Sequence, residues 1–363
     1  MDKVIYIVGA GFSAPLNIPV MSNFLFKSKD LYFSDTTKYS HFNQVFETIN
    51  KLSAAKNYYN CDLFNIEEIL SIIEMNEFLE GNKLQVDFIN YIKDVISYYT
   101  PKLNPISENL PGNWQDFLFG RDHSTSLYGY FVSSLMGLSF SQQPCKNPVM
   151  SGRSHDFIAT KNDNPNTKYS VLSLNYDMIL ENIAQNIQDH YKSEFPIAFE
   201  KKVHDPQWNL CHIAKLHGCL SENEIVPPTW AKGTHNSIIP VWKNAYKLLN
   251  DANHIRFIGY SLPVADSYLK YLLKAAVIDA PNLKSLDVIC IDQDGQTEQR
   301  YRDFFEFNNF SFRNGSVTDY LSELETLVKQ NKGHRFRSDG TVNTSYLEDA
   351  HNKFMKNSPI NEK

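Results

Sequence analysis

Four short stretches carry side chains able to do chemistry, and each follows an apolar run. They are Gly9-Ala10-Gly11-Phe12-Ser13, Leu174-Asn175-Tyr176-Asp177, Leu216-His217-Gly218 and Gly259-Tyr260-Ser261-Leu262-Pro263. The runs Val4 to Val8, Tyr169 to Leu174, Cys211 to Leu216 and Ile255 to Ile258 read as buried strands. In an open parallel sheet, ligands bind beyond the carboxyl ends of the strands. A glycine turn, an Asn/Asp pair, a histidine and a serine are therefore expected to line one crevice. That crevice reads as a nucleotide site holding a candidate catalyst.

The first stretch fits G-x-G-x-x-[G/A], with Ala14 in the last place. Gly9 permits a tight turn, Gly11 permits close approach of a pyrophosphate, and Ala14 permits close helix packing. The same glycines also suit a plain strand–helix turn, and Ser13 can bind phosphate or cap the helix. Asp30 lies near the spacing of a ribose-binding acid, but no strand pattern leads into it. Asn175 and Asp177 fall where a strand becomes a helix, a place that suits helix caps. An amide at that edge can also hold a ribose hydroxyl or a water. His217, beside the space opened by Gly218, has the chemistry of a general base near neutral pH. Cys211, His212, His217 and Cys219 lie close in sequence, yet the paired ligand spacing of a structural zinc site is missing.

The elements that must position these groups follow from periodicity. Ile66, Ile69, Leu70 and Ile73 mark one face of a helix, and Val86 to Tyr99 has the same period. Most of the stretch from Met21 to Phe140 reads as helical, inserted after the first strand and turn. Ser141 to Thr167 is rich in Pro, Asn, Ser and Lys and reads as loop. Strand–helix alternation then returns, with helices expected from Met178, over Trp242 to Leu249 and over Ala265 to Val277. A further strand is expected over Leu286 to Ile291, ending at Asp292. This pattern is that of an α/β parallel sheet with helices on both faces. The tail from Gln330 is polar and reads as a mobile extension or a partner-binding arm.

At 363 residues and 42% apolar, the chain can bury a large core. Its formal charge of −6 argues against strong direct nucleic-acid binding. Five scattered cysteines without a C-x-x-C pair are expected as free thiols. No apolar window is long enough for a membrane helix, and no signal-peptide pattern opens the chain. The expected location is the cytoplasm.

Gly-Ala-Gly-Phe-Ser, Leu-Asn-Tyr-Asp, Lys-Leu-His-Gly and Gly-Tyr-Ser-Leu-Pro, in this order, resemble the sirtuin family. The closer resemblance is to its NAD-hydrolase branch found in bacterial antiphage defence. Ile225 to Trp230, Val241 to Ala245, and Phe257 to Pro263 with Asp266 support that branch. The resemblance covers residues 1 to 325. It implies a Rossmann-like NAD-binding core over residues 1–20 and 168–325, a mainly helical insert over 21–167, and a polar extension over 326–363.

The resemblance also implies roles. NAD+ is the substrate, with Gly9, Ala10, Gly11 and Ser13 at its phosphates and ribose. Asn175 and Asp177 match the motif near the nicotinamide ribose, and His217 matches the catalytic base. Gly259, Ser261 and Asp292 lie toward the adenosine. Protein-deacylating sirtuins carry a four-cysteine zinc module after the histidine, and this chain has none, so no zinc is expected. Where those proteins continue Gly-Ile-Pro-Asp-Phe-Arg, this chain has Asn17-Ile18-Pro19-Val20-Met21-Ser22. Bare NAD+ cleavage to nicotinamide and ADP-ribose is the simpler implied chemistry. An NAD-depleting enzyme must be restrained, and the family implies oligomerisation and a separate activator, such as a HerA-type ATPase or other phage sensor. Three alternatives stand beside it: a non-catalytic NAD or ADP-ribose sensor or scaffold, a deacylase or ADP-ribosyltransferase, and a dehydrogenase, which would share only the glycine turn.

Overall fold

The computed structural model describes residues 1–54, 58, 64–81, 84–103, 118–144, 155–161, 166–191, 199, 210–220, 224–226, 238–264, 266–278, 282–330 and 346–356. The chain opens with β1 (Asp2–Val8), one helical turn α1 (Ala10–Ser13) and a 3-10 turn over Ala14–Leu16. Four helices follow: α2 (Phe24–Ser34), α3 (Phe42–Leu52), α4 (Ile66–Glu80) and α5 (Leu84–Tyr99). Next come α6 (His123–Leu135) and the strands β2 (Leu138–Pro144) and β3 (His155–Lys161). The alternating half contains β4 (Thr167–Ser173), α7 (Ile179–Tyr191), β5 (His212–Lys215), the short β6 (Gly218–Cys219) and β7 (Glu224–Ile225), α8 (Ile239–Asn250), β8 (His254–Ile258), α9 (Ser267–Ile278), β9 (Ser285–Cys290), α10 (Gln296–Phe304), β10 (Phe310–Asn314) and α11 (Val317–Gln330). A last helix, α12, spans Tyr346–Lys356.

Six strands form one parallel sheet in the order β10-β9-β8-β1-β4-β5. Counted along the sheet's own strands, this is the 3-2-1-4-5-6 order of a Rossmann fold. Alternation along each strand divides its residues between two cores. Val4, Tyr6 and Val8 face α6, α7, α11 and α12, while Ile5 and Ile7 face α8, α9 and α10. The expected α/β class with helices on both faces is therefore the observed one.

A third core, built from α2 to α5, holds Ile66, Ile69, Leu70 and Ile73 on the face that their spacing marks out. Asn65 caps α4 by accepting from the backbone N–H groups of Glu67 and Glu68, each at 3.1 Å. α6 lies within the 21–167 range, yet Leu127, Tyr128 and Phe131 belong to the sheet's core rather than to the helical one. The loop expected over Ser141 to Thr167 is corrected: β2 and β3 pair antiparallel across it, and β4 begins at Thr167. The Pro-, Asn- and Ser-rich composition of the stretch hides this backbone pairing from a reading by composition.

The polar tail also contains more order than its composition suggests. α12 buries Leu347, Ala350 and Phe354 against the sheet's core. Its Glu348 takes two hydrogen bonds from Arg256 of β8, at 2.8 and 2.7 Å. Arg256 is 3% exposed and also donates to Tyr6 Oη at 2.8 Å. Tyr169 Oη donates to Glu348 at 3.0 Å, and His351 Nε2 lies 3.3 Å from Asp287 Oδ2. A mid-sheet arginine is tolerable only with such partners.

Candidate functional site

Register brings the four stretches to one level. Val8, Ser173, Lys215, Ile258 and Ile289 stand side by side across the sheet. Every expected site residue follows within a few positions of that row. Strand order reverses at β1, so the crevice between the ends of β1 and β8 is the switch point at which such sheets bind ligands.

Two glycine turns interlock there. Gly11 N–H donates to Gly259 O at 2.8 Å, and Gly9 N–H to Ile258 O at 3.2 Å. A methyl on Gly11 would lie 2.8 Å from the Gly259 carbonyl, and one on Gly259 only 2.1 Å from the Phe12 nitrogen. Gly259 has a φ of 62°, where a side chain is strained anyway. The glycines thus serve strand-to-strand closeness as well as an open turn. α1 is one turn long, so little helix dipole stands behind it. Ala10 is exposed at the mouth of the turn, and Ser13 is buried. Asp30 is exposed on α2 and joins none of this.

Asn175 braces the turn. Its Nδ2 donates to Gly9 O at 2.9 Å and to Ser13 Oγ at 3.0 Å. That leaves its carbonyl oxygen as the end a ligand would meet. Asp177 Oδ1 accepts from Ile179 N at 3.2 Å, the cap-like contact that a strand-to-helix position favours. Lys215 was missed in the sequence. Its Nζ donates to the Asp177 carbonyl and lies 3.3 Å from Glu181 Oε1. A lysine ending an apolar strand needs such partners, and that was the available signal.

His217 is 4% exposed, and its backbone is held on both sides. Val226 N–H donates to its carbonyl at 2.9 Å, and Trp242 Nε1 donates to the preceding Leu216 carbonyl at 3.1 Å. The chain turns at Gly218, whose φ is 81°. The Tyr176 ring lies beside the imidazole, with centroids 6.0 Å apart. Tyr260 Oη donates to Asp266 Oδ2 at 2.7 Å. Burial, then the charge of Asp266, pushes the Tyr260 phenol well above its ordinary range.

Beyond β8, Ser261 is exposed and Leu262 is buried with a φ of 49°. Strain of that kind collects at functional sites. Asp292 lies at the end of β9, but its carboxylate accepts from Thr297 N at 3.2 Å and Glu298 N at 2.9 Å. Burial alone would raise its pKa; those backbone donors hold it below the usual carboxylate value. It serves the start of α10 directly. Among the described residues no group of three or more His, Cys, Asp or Glu is arranged to hold a metal, and no disulfide joins Cys211, Cys219 and Cys290 to one another.

No curated protein matches the chain. Residues 169–312 match the family model of the SIR2-like domain. That span contains Asn175, Asp177, His217, Gly259, Ser261 and Asp292. SIR2-like domains bind NAD+, and the match, lying on a Rossmann-like sheet, supports a sirtuin-like family and an NAD-related function for this chain.

Proposed function

We propose that this chain is an NAD+ glycohydrolase. The observation that supports the reading is that the glycine turn, Asn175, Asp177 and His217 follow the aligned carboxyl ends of three neighbouring strands, β1, β4 and β5, with Asn175 bonded to the turn. The pyrophosphate would lie along Ala10 and the glycines, with adenosine toward Gly259 and Ser261. The nicotinamide–ribose bond breaks through an oxocarbenium-like transition state, as in other glycosidic cleavages. Its electron pair passes to the ring nitrogen, neutralising the pyridinium. Water bonds to the ribose carbon, and His217 takes the proton from the water or from a ribose hydroxyl. The Asn175 carbonyl oxygen orients that water, and the Asp177 carboxylate supports the positive charge on the ribose. The products are nicotinamide and ADP-ribose.

The resemblance to antiphage NAD-hydrolases supports a role in a defence system, in which the chain would be oligomeric and switched on by a separate protein. Phe33, Phe78 and Leu79 on the helical insert are at least 70% exposed, and apolar surface of this kind suits such contacts. Asn175's engagement with the turn favours a second reading, NAD or ADP-ribose binding without cleavage. A time course of NAD+ with the purified chain, alone and with the protein encoded beside it, separates the two. Nicotinamide and ADP-ribose in equal amounts support the hydrolase. NAD+ that is bound but intact throughout supports the sensor.

A further inference from the structure

The hydroxyl of Tyr176 holds nothing among the described residues. Its oxygen is buried and has no hydrogen-bond partner among the described residues. One side of the ring lies beside His217, at 6.0 Å and a 46° tilt, and the ring also packs on the core of the helical insert. Leaving a buried donor unsatisfied costs about 1–3 kcal/mol. Buried polar groups without partners are few, and each calls for a reason.

The surroundings narrow what could use this donor. Burial raises the phenol's pKa well above its ordinary value, and the charges of Glu67 and Asp266 raise it further. The hydroxyl therefore stays protonated, a donor in negative surroundings. Glu67 belongs to the first turn of α4, so the insert itself contributes to this spot. Asp266 is fixed by Tyr260 Oη at 2.7 Å and by Leu269 N at 3.3 Å. A phosphate or carboxylate acceptor would be repelled by the two carboxylates. A planar cation carrying a neutral carbonyl fits instead: the carboxylates attract its charge, and the carbonyl accepts from the phenol.

We propose that Tyr176 recognises the pyridinium carboxamide of NAD+, its hydroxyl donating to the amide oxygen beside His217. The inference rests on the NAD reading above and adds a recognition residue to it. It also explains how an insert seated on the motif loop bears on the site, through one ring shared by both.

The test is Tyr176→Phe, with calorimetric binding of two ligands: a non-cleavable carbocyclic NAD+ and ADP-ribose, which lacks the ring. The melting temperature of the free variant is expected to be unchanged or higher, because an unsatisfied donor has gone. Affinity for the carbocyclic NAD+ is expected to fall about 3- to 10-fold, the worth of one hydrogen bond, with ADP-ribose unaffected. Equal loss for both ligands would mean a structural role and would overturn the proposal. So would unchanged affinity for both. If the native chain binds neither ligand, the NAD reading fails and takes this inference with it.

Discussion

Asn175 is a brace as well as a proposed ligand group. Its amide hydrogens hold the Gly9 carbonyl and the Ser13 hydroxyl, so removing the side chain loosens the turn on which the proposed NAD+ site is built. Asn175→Ala is expected to lose about 1–3 kcal/mol in urea unfolding, besides losing turnover. An unchanged urea midpoint would show that the brace is dispensable. The place of Asn175 and His217 beyond the strand ends was legible because each directly follows a buried strand. Asp292 follows the same rule, yet its carboxylate caps the start of α10. A carboxylate at a strand end looks alike in sequence whether it meets a ribose or a backbone N–H. Tyr176 was hidden for another reason: its neighbours His217, Glu67 and Asp266 come from three distant elements.

At the scale of elements, the glycine turns after β1 and β8 form one unit. Gly259→Ala would force a methyl to 2.1 Å from the Phe12 backbone at a positive φ. The expected cost is on the order of 2–4 kcal/mol, from backbone strain plus overpacking, read as a lower urea midpoint. A midpoint within experimental error of the native one would show that the turns do not interlock in solution. The glycines were visible in sequence, but their mutual contact was not, since they lie 250 positions apart in the chain. The strands of the parallel sheet were legible up to Asp292 because both of their faces are buried, which produces continuous apolar runs. β10 was missed: Phe310–Asn314 is an edge strand with mixed polarity and partly exposed residues. The β2 and β3 pair escaped because the Pro, Asn, Ser and Lys of Ser141 to Thr167 outweigh the short apolar run within it.

At the scale of the whole molecule, the C-terminal helix locks onto the sheet through charge. Glu348→Ala would strand Arg256 in the core and is expected to cost about 3–5 kcal/mol, measured by chemical denaturation. Burial alone would raise the Glu348 pKa, but Arg256 outweighs it and holds the carboxyl below its ordinary 4.5. Burial, with the charge of Arg256, also holds His351 below its ordinary 6.5. Each folded value lies below the unfolded one, so each group's contribution is present above the unfolded value and is lost as pH falls toward the folded one. Stability should therefore decline from just below pH 6.5 and again below pH 4.5, with Glu348→Gln reducing the lower step, to which Asp287 and Asp292 also contribute. A urea midpoint that rises on acidification from pH 7 to 5 would contradict this. The docking of α12 was invisible in sequence because its partner, Arg256, sits 92 residues away in a strand. The proposed activity belongs to this scale too, since it would need β1, β4, β5 and β8 together. Its most direct measurement is nicotinamide release from NAD+ by the native chain and by His217→Ala, under whichever condition, alone or with the proposed activating protein, gives turnover. The expected result is equimolar nicotinamide and ADP-ribose from the native chain and a loss of at least about 100-fold in the variant. Undiminished release by a folded His217→Ala variant would contradict the assignment of the base and, with it, the proposed site.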